Sequence, residues 1–143
     1  MISDARRRLE DLLDREIELA RVLAATLSAE KAALTGDSPA AVEENAAEKI
    51  RVLEAIEELD QERRTLCESP ASAGVAATVV ERWRKLMELM AGCRTANDVN
   101  GHIIHVRRHQ IRQLMDIVRG GPSITYGPRG KTFSKALRAL ARA

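Results

Sequence analysis

Three histidines in the second half of the chain have the spacing of a metal site. His102, His105 and His109 follow one another at steps of three and four residues, so a helix would carry them on one face. With about 100° of rotation per residue, that face lies almost opposite Ile104 and Ile111, and arginines rather than carboxylates surround it. A zinc site would need a fourth ligand and groups that orient the histidines. The pattern therefore favours a solvent-exposed, weakly basic face, and we predict no metal site.

Cys93 is a candidate nucleophile, which would need an adjacent base and an orienting third group. It falls among apolar residues at helical spacing, where a cysteine is more often a small core residue. The sequence has no phosphate-binding glycine loop, no HExxH and no paired-carboxylate pattern. We therefore predict neither an enzyme nor a cofactor.

Cys67 is far from Cys93 along the chain, which argues against a disulfide framework or a zinc pattern and favours reduced thiols in the cytosol.

Polar residues interrupt an otherwise apolar helical pattern at Asn97, Asn100 and Arg107. One interpretation is that buried asparagines fix the register of helix pairing, as polar groups at single coiled-coil positions do. Another is that these residues form a polar notch that accepts a second chain. The sequence is compatible with both.

The composition is typical of long helices. Apolar residues make up 45% of the 143 residues but aromatic residues only 2%, too few for the strands of a sandwich or barrel. Ala, Leu, Glu and Arg dominate, as in bundles and coiled coils, and the length fits one domain. We expect an all-α fold, an antiparallel three-helix bundle or coiled coil with one very long third helix and a mobile basic C-terminal tail.

Charge is distributed unevenly along the chain. Residues 1–100 carry 14 basic and 20 acidic groups, whereas residues 101–143 carry nine basic groups and one acid, Asp116. Such asymmetry indicates an interaction surface. The N-terminus lacks the apolar core of a signal peptide, and no apolar run approaches the roughly 20 residues of a membrane span. We expect a cytoplasmic protein without membrane insertion.

Two helices are predicted in the first half of the chain. The first, at about 3–35, begins at Ser3 and stops at Gly36. Its predicted inner side consists of Leu9, Leu13, Ile17, Ala20, Leu23, Leu27 and Leu34. The second, at about 38–68, restarts at Ser38-Pro39, and its Glu-Glu and Arg-Arg pairs predict a solvated outer face. Its predicted inner side consists of Val42, Ala46, Ile50, Leu53, Ile56 and Leu66.

A third, longer helix is predicted at about 75–119, ending at Gly120-Gly121-Pro122. Its alternating steps of four and three residues predict a seam of Val79, Trp83, Leu86, Met90, Cys93, Asn97, Asn100, Ile104, Arg107, Ile111, Leu114 and Val118. Short loops predict antiparallel neighbours, which places residues 1–120 in one bundle. Residues 121–143 form the predicted tail, with a short basic amphipathic helix that carries Phe133, Leu137 and Leu140 on one side.

The most specific stretch of the chain is residues 93–104, Cys-Arg-Thr-Ala-Asn-Asp-Val-Asn-Gly-His-Ile-Ile. Together with an apolar run that ends in Arg119-Gly120 and with Tyr126-Gly127 in the tail, it resembles the FlgN family of flagellar type III export chaperones. The resemblance covers about residues 83–130, and the first 70 residues fit in kind, as two helices of the right length.

The resemblance implies a cytoplasmic chaperone that binds the C-terminal helical segments of the hook-associated proteins FlgK and FlgL and delivers them to the export gate. On the resemblance and the helical pattern together, the predicted cargo-binding residues are Asn97, Asn100, Ile103, Ile104, Arg107, Ile111, Leu114, Ile117 and Val118. For the tail, the resemblance implies contact between Tyr126 and the gate component FlhA. We predict that the apolar tail residues Phe133, Leu137 and Leu140 take part in the same contact.

Two other functions stay open at the level of sequence. The basic C-terminal end would also suit a nucleic-acid-associated helical regulator, although it lacks interleaved aromatic residues. A plain coiled-coil scaffold would form a stable oligomer without a heterologous partner. The chaperone hypothesis involves no nucleic acid, and the seam is compatible with a monomer or a homodimer.

Overall fold

The computed structural model describes residues 3–68 and 76–120, and these residues form three α-helices. They are α1 (Asp4–Leu34), α2 (Pro39–Glu68) and α3 (Ala77–Val118). The all-α fold with a long third helix is therefore confirmed. The chain divides into two compact units, Met1–Asn100 and Gly101–Ala143, which are described one at a time.

Capping side chains and a glycine set the helix ends. The Ser3 hydroxyl accepts a hydrogen bond from the Arg6 backbone N–H at 3.2 Å, and Ser38 does the same for Ala41. These bonds satisfy backbone donors that the first turn of a helix leaves without partners. After α3, Gly120 takes a positive φ of 71°, a conformation that costs glycine little and ends the helix there.

In the first unit, the apolar core is centred on α1, against which both α2 and α3 pack. Leu13, Ile17 and Ala20 of α1 pack with Leu86 of α3 in one cluster, to which α2 contributes no buried residue. In the second cluster Leu23 and Leu27 of α1 meet Cys93 of α3 and Val52 of α2. The predicted inner side of α1 is confirmed, since Leu13, Ile17, Ala20, Leu23, Leu27 and Leu34 are buried and Leu9 packs against the first cluster.

Two ion pairs with buried carboxylates also join α2 to α1. Arg63 Nε donates to Glu16 Oε2 at 2.8 Å, and Lys49 Nζ donates to Glu30 at 3.1 Å. Glu16 is only 3% exposed and Glu30 only 8%. On each helix the two charged residues are two heptads apart, about 21 Å along the axis. The pairs therefore fix both the antiparallel direction and the register of α1 and α2.

The predicted inner side of α2 is wrong for three residues. Ala46 is exposed, and Ile50 and Leu53 are 56% and 42% exposed. Val52 and Leu59 are buried in their place. The ion pairs explain the difference, because they turn α2 so that Lys49 and Arg63 face α1.

Arg63 also corrects the prediction that the Arg-Arg pair is solvated. The Arg63 side chain is 11% exposed, and its guanidinium carbon lies 4.6 Å from the centre of the Trp83 ring. The Arg63 guanidinium also forms an ion pair with Asp60. A cation over an indole face is attracted by the ring quadrupole. Burial raises the pKa of Glu16, and the positive charge of Arg63 opposes that rise.

Replacing the buried arginine should give a pH-dependent loss of stability. Arg63→Met keeps an apolar stem beside Trp83 but leaves the Glu16 carboxylate buried without its partner, which costs about 3–5 kcal/mol at pH 7. The pKa of Glu16 is higher in the folded chain than in the unfolded chain. Protonation of Glu16 therefore stabilises the folded chain. This stabilisation is complete below the unfolded pKa and is lost as the pH rises through the folded pKa. The loss should therefore shrink from pH 7 to pH 4.5 in urea unfolding followed by circular dichroism.

The neighbouring residue provides the control for this experiment. Arg64 bonds Asp60 at 2.9 Å but its side chain is 66% exposed, so Arg64→Met should cost less than about 1 kcal/mol. Glu16→Gln in the Arg63→Met background should recover most of the lost stability. An equal loss at both pH values would show that Glu16 does not depend on Arg63.

Candidate partner-binding surface

The two asparagines predicted to bind a partner lie in different environments within the first unit. Asn97 is exposed and its side-chain oxygen accepts a hydrogen bond from Lys49 Nζ at 2.7 Å. Asn100 is 1% exposed, and its amide donates to the Leu27 carbonyl and to Glu30 Oε1, both at 2.9 Å. Asn100 thus bridges α3 to the Glu30–Lys49 pair, which fits the interpretation that a buried asparagine fixes register.

These environments predict different costs for the same substitution. Asn100→Ala removes two buried hydrogen bonds and should lower the free energy of unfolding by about 1–3 kcal/mol. Asn97→Ala removes one exposed hydrogen bond, from Lys49, and Lys49 keeps its ion pair with Glu30. The cost in free energy of unfolding should therefore stay below about 1 kcal/mol. Urea unfolding of both variants makes the comparison, and similar costs would show that the buried network does not depend on Asn100.

In the second unit, the described part of α3 carries an exposed apolar strip. Val118 is 71% exposed, Ile111 58%, Leu114 42% and Met115 40%. Steps of three and four residues put them on one helical face, which half-buried Ile104 continues toward the N-terminus. We call Ile104, Ile111, Leu114, Met115 and Val118 the apolar strip. Large apolar side chains exposed side by side are characteristic of contact surfaces.

The exposure of the strip corrects the predicted seam of α3. Ile111, Leu114 and Val118 were expected on the inner side, but Gln110 is the buried residue of this stretch at 8% exposure, and Ile117 is half-buried. Positions three and four residues beyond a seam residue lie about 60° to one side and 40° to the other. The apolar pattern alone therefore does not decide which of them faces inward.

The charges beside the strip are mostly basic. Arg107, Arg108, Arg112 and Arg119 stand against a single acid, Asp116, within residues 101–120. Arg107 and Ile103, both predicted binding residues, are half-buried. An apolar strip with basic surroundings would bind an apolar helix with acidic flanks better than one with basic flanks.

The histidines and Cys93 were the candidates for a metal site and a nucleophile. His102, His105 and His109 are exposed, and within residues 3–68 and 76–120 no group of His, Cys, Asp and Glu could hold a metal ion. Cys93 is buried, its thiol donates to the Ala20 carbonyl at 3.5 Å, and burial raises its pKa, which disfavours the reactive thiolate.

Part of the predicted site lies beyond the described residues. Tyr126, Phe133, Leu137 and Leu140 all fall there, as does the whole predicted mobile tail, 121–143. The division between bundle and tail after residue 120 stays a prediction. Met115 was missed, although its spacing from Ile111 and Val118 would have found it. None of the helices in the described ranges combines the length and apolar character of a membrane span.

A family model described as FlgN protein matches residues 1–133 of the chain. The match therefore includes α1 and α2 as well as the stretch around residues 93–104 that carried the resemblance. No curated protein and no solved structure matched the chain in the same comparisons.

Proposed function

The chain belongs to the FlgN family, and on that premise we propose that it binds the C-terminal helical segments of the hook-associated proteins FlgK and FlgL. The family's general role is flagellar export chaperone, and it is not an enzyme family. In the proposed cycle the chain keeps its cargo unassembled in the cytoplasm and delivers it to the flagellar type III export gate.

The exposed apolar strip is the observation that carries this proposal. An amphipathic cargo helix would lay its apolar side along Ile111, Leu114 and Val118, removing them from water. Each side chain of this size contributes about 1.5–3 kcal/mol when fully buried. A cargo segment that orders only on binding offsets part of this gain by its lost conformational entropy. The balance favours an attachment that can be reversed at the gate.

The other predicted cargo contacts support the strip to different degrees. Half-buried Ile103, Arg107 and Ile117 are accessible enough to extend it. Asn97 and Asn100 already bond within the bundle. The proposal therefore rests on the residues after Gly101. Contact of Tyr126, Phe133, Leu137 and Leu140 with FlhA is proposed from the family resemblance and the apolar pattern of the tail.

Acidic residues in the strip should weaken cargo binding without unfolding the chain. Ile111→Asp with Leu114→Asp places two carboxylates where a cargo helix would bury apolar carbon, and both positions are more than 40% exposed. The affinity for FlgK and FlgL should fall at least tenfold, equivalent to about 1.4 kcal/mol. Isothermal titration calorimetry against each cargo measures it, and circular dichroism checks the fold.

A matched control places the same charges on the opposite face. His105→Asp with His109→Asp alters two exposed residues of the same helix and should leave cargo affinity within about threefold, since screening limits long-range effects. Cargo lacking its C-terminal segment should not bind the unaltered chain. If truncated cargo binds normally, or if the strip variant binds like the control, the proposed mode of binding is wrong.

The basic excess after residue 100 supports nucleic-acid binding as a second candidate, and salt dependence separates the two. Binding through phosphates weakens log-linearly with salt as counterions are released, whereas burial of an apolar strip persists. The affinity for FlgK should therefore change less than threefold between 50 and 200 mM salt. Over the same range, a nucleic-acid complex with about six phosphate contacts would lose affinity by roughly a thousandfold. A tight, salt-sensitive complex with duplex DNA and no binding of cargo would favour the second candidate.

A further inference from the structure

A second apolar surface lies in the first unit, in the groove between α2 and the part of α3 before Gly101. The groove encloses about 470 Å³, and its apolar lining comprises Leu53, Ile56, Leu86, Met87, Met90 and Ala91. Leu53 on one bank and Met87 on the other are 42% and 40% exposed. One turn before Leu53, Ile50 is 56% exposed and extends the apolar bank of α2.

The register of α2 explains why these residues lack cover. The buried pairs with Glu16 and Glu30 hold Arg63 and Lys49 toward α1. That rotation leaves Leu53 in the groove beside α3 with 42% of its surface exposed, and it leaves Ile50 56% exposed. Two methionines on the facing wall are flexible and polarizable, so they adapt to apolar groups of varied shape.

The same rotation makes the outer surface of α2 acidic. Two of its bases point inward, while Arg51 and Arg64 bond the nearby acids Glu48 and Asp60. Glu54 and Glu57 are exposed and share a face, and Glu57 lines the groove. Neither makes an ion pair with any residue in the described ranges. The α3 side of the groove offers one base, Arg94. The negative charge without an ion pair is therefore on the α2 side, at Glu57 in the lining and at Glu54 beside it.

We propose that this groove is a docking site for a basic amphipathic α-helix of a partner protein. Its apolar side would pack between Leu53 and Met87, and its Lys or Arg side chains would face Glu54 and Glu57. Helices pack at axial separations of about 8–10 Å, and a fourth helix over two neighbouring helices completes a common bundle arrangement. The site is separate from the apolar strip and does not depend on the proposed cargo.

Two synthetic helical peptides test the charge requirement. Both carry the same leucine stripe, but lysines flank the stripe in one and glutamates in the other. The full-length chain carrying Ile111→Asp with Leu114→Asp is used, so that the apolar strip does not offer the glutamate peptide a second site. Fluorescence anisotropy at 150 mM salt should show the lysine peptide binding to this chain at least tenfold more tightly. Glu54→Lys with Glu57→Lys should reverse the preference. A preference that does not change with these substitutions would overturn the assignment of charge.

Two variants test the location. Leu53→Gln with Met87→Gln removes apolar surface from both banks and should weaken the lysine peptide at least tenfold. Val22→Gln with Val99→Gln, which alters exposed valines outside the groove lining, should leave it within about twofold. Equal effects of the two double variants would place the peptide elsewhere. A dimer in sedimentation velocity that Leu53→Gln with Met87→Gln dissociates would show instead that a second copy of the chain covers the groove.

Discussion

The buried ion pairs Glu16–Arg63 and Glu30–Lys49 are the constraint on which the rest of the bundle depends. Within the described ranges α1 supplies most of the buried apolar side chains, and the other two helices supply two each, Val52 and Leu59 from α2 and Leu86 and Cys93 from α3. Two pairs separated by two heptads define the register and rotation of α2, because a shift or a rotation would leave the Glu16 and Glu30 carboxylates buried without partners.

This constraint determines the outer surface of the first unit. Since α2 directs two of its four bases inward, its acids dominate the outside, and Leu53 remains beside α3 with 42% of its surface exposed. The second unit is different, with arginines beside an apolar strip. The two exposed apolar surfaces therefore differ in the charges beside them, and the two proposed partners differ in charge accordingly.

Much of the fold could be predicted from the sequence. The apolar spacing of α1 and the stops at Gly36 and Gly120 act locally, so they specify helices without knowledge of tertiary contacts. The rotation of α2 was mispredicted because charged residues at Lys49 and Arg63 are ordinarily assigned to the surface. A signal was present, since Glu16 and Glu30 have the same two-heptad spacing as the two bases of α2 and the opposite sign.

The candidate site could be predicted in residue type but not in exposure. Family resemblance and apolar spacing indicated Ile111, Leu114 and Val118, yet the same spacing placed them on the inner side. Which face of a long helix is buried depends on the helices it meets, and spacing of three and four residues is compatible with two neighbouring faces.

Methyl NMR of the chain, at 15.8 kDa, tests most directly whether the strip receives cargo while the bundle stays intact. The C-terminal segment of FlgK would be titrated into chain labelled at Ile, Leu, Val and Met methyls. The account predicts large shifts at Ile111, Leu114, Met115 and Val118, with the core methyls of Leu13 and Leu27 unchanged. Shifts confined to the core, or absent from the strip at saturation, would contradict it.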